Sequence, residues 1–184
     1  MTYLFSIRAS IAWFPILALL FTVPFLIVQY HKYGSVNLLR AVILYSFIFY
    51  LLTIYFLVIL PLPKKSDVTY NPNCIKLIPF RFILDFLKES PFVWNNPSTY
   101  LKAIASPSFY TVIFNFFMTI PYGMYLRYYF KCNLKQTIKY SFFLSLFFEL
   151  TQLSGLYGIY PYPYRVFDVD DLIINTLGGI IGYY

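Results

Sequence analysis

The sequence predicts an all-α fold, a polytopic membrane helical bundle of about five transmembrane helices with one further amphipathic helix at the membrane surface. Hydrophobic residues make up 60% of the chain and charged residues 11%, less than half the share usual in a soluble domain. Several apolar runs approach the roughly 20 residues that a helix needs to cross a bilayer. Aromatic residues, 23% of the chain, suit lipid-facing surfaces and the membrane–water boundary.

The first two predicted spans are the most apolar. Residues 12–30 contain no charged side chain, and the run is too long for a cleavable signal and lacks a small-residue cleavage site. Two prolines lie inside it, which membrane helices tolerate. Residues 39–60 form the second predicted span, which stops where Pro61 and Pro63 break the helix and two lysines follow.

Residues 61–107 form a long connection without a spanning run. Within it, residues 78–88 place apolar side chains at helical spacing on one side, and charged side chains fall on another side. The apolar positions are Phe80, Ile83, Leu84 and Leu87. This pattern predicts an amphipathic helix lying on the membrane surface. Further along, Asn96 followed by Pro97 is typical of an N-cap and first helical position.

Three more apolar segments complete the predicted bundle, at residues 108–129, 138–157 and 172–184. The last one reaches only about 20 Å as a helix, against a hydrocarbon core of about 30 Å. We therefore expect the chain to continue past Tyr184. Taken together, the runs predict a single membrane domain over residues 1–184.

Charge distribution predicts the orientation of the spans. The short loops 31–40 and 127–139 together hold six Lys and Arg residues, which favours the cytoplasmic side for both. The connection 61–107 and the loop before the last segment then lie outside. The net charge of +7 fits anionic lipid better than nucleic acid, because no basic helix or aromatic-interleaved face stands out. Cys74 and Cys132 fall on opposite sides, so we expect no disulfide between them.

The last predicted helix begins with an acidic and amide face. At about 100° per residue, five positions fall within about 80° of arc. They are Asp168, Asp171, Asn175, Gly178 and Gly182. The aspartates stand at a helix N-terminus, where a side chain can cap free N–H groups and the macrodipole favours negative charge. The two glycines allow another helix to approach closely, within this chain or between copies.

The two preceding spans carry polar faces of their own. The fourth span aligns Ser141, Ser145, Glu149 and Gln152. The third span aligns Ser108, Thr111, Asn115 and Thr119. An ionisable residue within a span is costly, so Glu149 is a functional-site hypothesis. The economical arrangement brings the three faces together as a polar pocket that opens at the outer surface.

Each polar residue also has a simpler interpretation. The aspartates could be only a cap with solvated loop charges, and Glu149 with Gln152 could be a hydrogen-bonded pair between helices. Serine and threonine in membrane helices often bond their own backbone. Arg165 could contact a lipid headgroup, or it could be the counter-charge to Glu149 or Asp168.

These residues form a signature that resembles that of the VanZ-like membrane proteins. The segment "SLFFELTQLSGLYGIYPYPYRVFDVDDLIINTLGGIIGY" has a Glu and a Gln three apart, an Arg in the following loop, and then Asp-x-x-Asp-x-x-x-Asn-x-x-Gly. The matching residues are Glu149, Gln152, Arg165, Asp168, Asp171, Asn175 and Gly178. Upstream, "NFFMTIPYG" is similar to the family's Asn-x₅-Pro-x-Gly motif, and "LIPF" to the motif before it. The resemblance covers about residues 75–184.

The resemblance implies a multi-pass protein of the bacterial plasma membrane and cell envelope, and a link to low-level resistance against teicoplanin-type glycopeptide antibiotics. Our leading hypothesis is a non-enzymatic protein without a cofactor, whose polar site recognises its ligand. The residues predicted to bind it are Asn115, Glu149, Gln152, Arg165, Asp168, Asp171 and Asn175. The expected partners are membrane lipid and either the glycopeptide antibiotic or a lipid-linked cell-wall precursor.

Two alternatives remain open at this point. The carboxylates could serve an intramembrane enzyme that acts on a lipid-linked phosphate, by binding Mg²⁺ or by acid–base catalysis. Against this, no nucleophile–base pair and no phosphate-binding motif is visible. Alternatively, Glu149 could be the proton site of a transport component. The chain shows no internal repeat of the kind that transporters use.

Overall fold

A computed structural model describes residues 2–60, 62–104 and 106–184, and it confirms an all-α fold. The described residues form eight α-helices and one pair of two-residue strands. Contacts divide the chain into two compact units, one up to Lys64 and one from Lys65 to Tyr184. We call them unit 1 and unit 2 and describe each by itself.

Unit 1 is a pair of long helices, α1 (Thr2–Tyr33) and α2 (Leu38–Ile59). Helix α1 begins well before residue 12, where the first apolar run starts, and continues through both of its prolines. The Asn37 side chain caps α2 by accepting a hydrogen bond from the Arg40 N–H at 3.2 Å. The two helices meet through the Thr22 and Tyr45 hydroxyls, 2.6 Å apart, and through aromatic rings.

Unit 2 begins with short elements that include the predicted surface helix. They are a 3₁₀ turn (Lys65–Asp67), strand β1 (Ile75–Lys76), α3 (Arg81–Glu89), a second 3₁₀ turn (Pro97–Thr99) and α4 (Tyr100–Ile104). Helix α3 is amphipathic as predicted, and Ile83, Leu84 and Leu87 are exposed. The Asn96 side chain caps the second 3₁₀ turn by accepting from the Ser98 N–H, which confirms the predicted cap.

The remainder of unit 2 holds the longer helices. They are α5 (Pro107–Met124), continued by a π-helical turn (Tyr125–Tyr129), α6 (Leu134–Leu153), the one-turn α7 (Gly155–Gly158), strand β2 (Phe167–Asp168) and α8 (Val169–Tyr183). A capping box between Asn133 and Gln136 starts α6 one turn before the predicted span. Helix α6 ends at Leu153 because Gly155, at φ +61°, turns the chain away.

Glycines bring α5 and α8 into backbone contact. A Cβ atom at Gly182 would overlap the Ile120 carbonyl of α5, and one at Gly178 would overlap the Phe116 carbonyl. In the reverse direction, a Cβ at Gly123 would overlap the Gly179 carbonyl. The small-residue face of α8 is therefore occupied by α5 of the same chain.

The number of spans differs from the expectation of five. Among the described residues, Leu4–Tyr33 and Leu38–Ile59 are long and apolar enough to cross a membrane, and the bent pair Pro97–Ile104 with Phe109–Tyr129 is a third candidate. Five transmembrane helices are not confirmed. The difference has a physical cause, since α6 carries buried polar residues on successive turns and α8 has only 15 residues.

Candidate functional site

A short parallel strand pair positions the loop before α8. Strand β1 pairs with β2 so that Ile75 lies opposite Phe167 and Lys76 opposite Asp168. The Phe167 N–H donates to the Cys74 carbonyl at 2.8 Å. This pairing places the Lys76 ammonium beside the first turn of α8, 4.0 Å from the Asp168 carboxylate.

Two carboxylates accept hydrogen bonds from backbone N–H groups at the N-terminus of α8, one from the N-cap residue itself and one from α6. The Asp168 side chain is the predicted N-cap and accepts a hydrogen bond from the Asp170 N–H at 3.0 Å. The Glu149 carboxylate, on the last turns of α6, accepts one from the Asp168 N–H, also at 3.0 Å. Both carboxylates thus stand where the partial positive charge of the helix end stabilises negative charge. Glu149 is buried, with 4% of its surface exposed.

Asp171 joins three helices. Its carboxylate accepts a hydrogen bond at 2.8 Å from the Asn115 amide of α5. The Ser145 hydroxyl of α6 donates to the Asp171 carbonyl at 3.2 Å and accepts from the Asn175 amide at 2.8 Å. The polar faces of α5, α6 and α8 therefore meet at this level. We call these residues the polar cluster: Asn115, Ser145, Glu149, Asp168, Asp171 and Asn175.

Negative charge exceeds positive charge in the polar cluster. Arg165 attracts both the Glu149 and the Asp171 carboxylate, although in the described part of the chain it forms no ion pair within 4.0 Å. Lys76 is the nearer cation, and it is shared with Asp85. Burial raises the pKa of the Asp168 carboxyl above its ordinary value despite the attraction of Lys76.

Asp170 points away from the polar cluster, as its position in the helical repeat predicts. Its two carboxylate oxygens accept hydrogen bonds from the backbone N–H groups of Phe80 and Phe82, at 2.5 and 2.9 Å. These are free donors at the start of α3, which has no side-chain cap of its own because Phe80 stands at its N-cap with φ 62°. Sequence reasoning missed this contact, for which the uncapped start of α3 was the available signal.

Lys76 adds a second link between α3 and the polar cluster. Its ammonium lies 3.3 Å from the Asp85 carboxylate of α3, which also pairs with Arg81 at 3.7 Å. Because Lys76 also approaches Asp168, one cation connects the surface helix to the start of α8. Neither Lys76 nor Asp85 stood out in the sequence.

The other predicted polar residues lie in different surroundings. Gln152 is buried one turn beyond Glu149 on the same face of α6, whereas Arg165 is exposed in the loop before β2. Thr111 is exposed instead of lining the pocket, and the Ser108 side chain lies outside the described residues. Thr119 is buried, but its hydroxyl bonds the backbone of its own helix.

The donor set of the site does not resemble a metal centre. Among the described side chains, no three His, Cys, Asp or Glu residues group in a way that could hold a metal ion. The carboxylates accept hydrogen bonds from the Asn115 amide and from the backbone N–H groups of Asp168 and Asp170. Such an arrangement can hold and orient a ligand without a metal.

Apolar helices of spanning length indicate a helical membrane protein, and carboxylates and amides meet between its helices. The comparisons with known proteins place it more closely. A family model described as VanZ/LLP1 matches residues 47–184, three quarters of the chain, and the chain belongs to this family. The match begins within α2, earlier than the motifs indicated. A search of curated proteins and a search of solved structures each found no match.

Proposed function

We propose that this membrane protein recognises a lipid-linked or amphipathic ligand through its polar cluster and thereby lowers susceptibility to teicoplanin-type glycopeptide antibiotics. One observation carries the proposal. The Glu149 and Asp171 carboxylates, between packed helices, repel each other, and their hydrogen-bond partners are a backbone N–H and an amide, both neutral. A buried charge without a close opposite charge is costly. A ligand that supplies positive charge would lower that cost.

The entrance of the cluster supports recognition of a ligand with more than one charged group. The half-buried Lys76 lies 4.0 Å from the Asp168 carboxylate, and the exposed Arg165 attracts the Glu149 and Asp171 carboxylates from farther away. A guanidinium binds phosphate or carboxylate through paired hydrogen bonds, and a lysine ammonium binds them as a point charge. An anionic group of the ligand would bind at this entrance, and a cationic or polar group would reach Glu149 and Asp171.

The surface helix supports a membrane-attached ligand. The exposed face of α3 carries Ile83, Leu84 and Leu87, and Phe80 is exposed beside them. Such a face partitions into the headgroup and acyl boundary of a bilayer. Because Asp170 and Lys76 join α3 to the first turn of α8, the polar cluster would open at that same boundary. In this proposal the cluster faces outward, and membrane lipid, a lipid-linked wall precursor or the antibiotic itself reaches it there.

The proposal predicts that variants of the polar cluster fold normally and no longer protect the cell against teicoplanin. In a strain where the wild-type chain lowers teicoplanin susceptibility, Glu149→Gln and Asp171→Asn should each restore susceptibility to that of the empty vector. Both substitutions keep the shape of the side chain and remove its charge. The new amide can still form hydrogen bonds. The minimum inhibitory concentration is measured alongside the amount of folded protein in the membrane.

Asp67→Asn is the matched control, because Asp67 is an exposed carboxylate that pairs only locally with Ser66. It should protect as well as the wild type. If Glu149→Gln and Asp171→Asn chains accumulate normally and still protect fully, the polar cluster is not the recognition site.

A further inference from the structure

The inner part of the polar cluster presents oxygen acceptors whose neighbouring donors are already used. The Asn115 amide donates to Asp171, the Ser145 hydroxyl donates to the Asp171 carbonyl, and the Asp168 N–H donates to Glu149. Within the described residues, these hydrogen bonds occupy one carboxylate oxygen of Glu149 and one of Asp171. The other carboxylate oxygen of each residue can therefore accept further hydrogen bonds.

Asn175 adds an independent observation. Its side chain is 5% exposed, and its Oδ1 has no hydrogen-bond partner among the described residues. The Asn175 amide donates through Nδ2 to the Ser145 hydroxyl at 2.8 Å, and that hydroxyl donates to the Asp171 carbonyl at 3.2 Å. The unpartnered oxygen thus belongs to an amide that is hydrogen-bonded to Ser145 of the polar cluster. Buried amide oxygens without a partner are rare and call for an explanation.

We infer that the polar cluster binds a protonated primary amine at Glu149, Asp171 and Asn175. This inference rests on the proposed function, since it names the chemical group that the same site takes. A primary ammonium has one positive charge and three N–H donors and no acceptor. It complements two carboxylate oxygens and one amide oxygen in charge and in hydrogen bonding. The oxygens of Glu149, Asp171 and Asn175 are the acceptors for its three N–H hydrogen bonds.

The same features select against other cations. A divalent metal requires a tighter set of ligands, and the described residues contain no group of three suitable side chains. A quaternary ammonium carries the same charge as a primary amine but no N–H donor, so the open oxygen of Asn175 would stay unpaired. A region of negative potential would bind both cations equally well. A site with open oxygen acceptors should prefer the cation that has N–H donors.

The test uses the purified full chain in phosphatidylcholine nanodiscs, with n-hexylamine and n-hexyltrimethylammonium as probes at pH 7. Isothermal titration should show hexylamine binding at least about tenfold more tightly than the quaternary probe, the ratio expected from charged hydrogen bonds. Asn175→Ala should reduce that ratio about fivefold or more while quaternary binding changes little. Glu149→Gln should weaken both probes, and Asp67→Asn should change neither.

Equal binding of the two probes would overturn the inference, because charge alone would then explain it. If hexylamine does not bind the folded protein although Glu149→Gln and Asp171→Asn abolish teicoplanin protection, the amine inference is wrong and the proposed function stands. If hexylamine binds selectively although both variants protect fully, the amine site stands and its proposed role in protection fails.

Discussion

The helix pair of unit 1 and the helix group of unit 2 are packed by different means. Helices α1 and α2 meet through large side chains, such as the edge-to-face rings of Phe14 and Phe49 with centroids 5.2 Å apart. Helices α5 and α8 meet through glycines that leave no room for a Cβ atom. Large side chains can adjust their rotamers when a neighbour changes, but a backbone carbonyl at a glycine cannot.

This difference goes with a difference in the side chains that each helix group exposes or buries. Many side chains of α1 are large, apolar and exposed, such as Leu19 at 73% and Leu20 at 67%. In α6, by contrast, the buried positions include Thr137, Ser141 and Ser145, one helical turn apart. Enclosing such polar groups requires helices held at a fixed distance, and the glycine contacts of α8 provide it. Hydropathy alone identifies the helices of unit 1. It gives a lower value for α6 of unit 2, because the buried face of that helix is polar.

The largest expected effect comes from enlarging a glycine of α8. In Gly182→Leu the new side chain would overlap the Ile120 carbonyl, and we expect a loss of at least about 3 kcal/mol of stability, or failure to accumulate folded protein. Thermal unfolding in detergent measures it.

Ala12→Leu in α1 is the matched control, because Ala12 is exposed and the change is similar in size. It should shift the unfolding midpoint little. Equal effects at the two positions would show that the two regions tolerate a larger side chain equally well.

An intermediate effect is expected from the contact between Asp170 and α3. Asp170→Ala leaves the Phe80 and Phe82 N–H groups without their acceptor, which costs on the order of 2–3 kcal/mol. The loss should concentrate in α3, so amide hydrogen exchange there should accelerate about 30-fold or more while exchange in α6 changes little.

Asp85→Ala provides a graded comparison for the same helix. It removes the ion pairs with Lys76 and Arg81, which are partly exposed and worth about 1 kcal/mol or less. If it loosens α3 as much as Asp170→Ala does, the backbone contacts of Asp170 are not what hold this helix.

The smallest effect is expected between the helices of unit 1. Tyr45→Phe removes the hydrogen bond to Thr22, at 2.6 Å, but retains the aromatic ring and its contact with Phe25. Thr22 keeps a second bond to the Ala18 carbonyl, so about 0.6 kcal/mol should be lost. A shift in the unfolding midpoint as large as that of Gly182→Leu would mean that unit 1 depends on specific polar contacts as well.

The part of the site that depends on helical periodicity could be predicted from the sequence. A spacing of three or four residues places Glu149 on the buried face of α6, and Asp171 and Asn175 on one face of α8, and these faces meet in the structure. The direction of Asp170 away from that face follows from the same geometry. Periodicity determines which face a residue occupies, and a polar face in an apolar helix must find a polar partner.

Contacts between distant segments could not be predicted. Asp170 bonds residues about 90 positions earlier, and the strand pairing that positions Lys76 rests on four residues with no strand pattern of their own. Glycine spacing indicated close helix packing but not that α5 supplies the partner. The exposure of Thr111 was also missed, because helical periodicity gives the face of a residue and not the depth at which it lies.

Asp170 contacts the main chain at positions 80 and 82, and not their side chains. Every amino acid except proline supplies the same N–H group, so a substitution of the half-buried Phe82 keeps the hydrogen bond to Asp170. A cysteine there could carry a fluorophore close to the entrance of the cluster while the helix attachment stays intact. Replacement of Phe80 by glycine or asparagine would also suit its φ of 62° better than phenylalanine does.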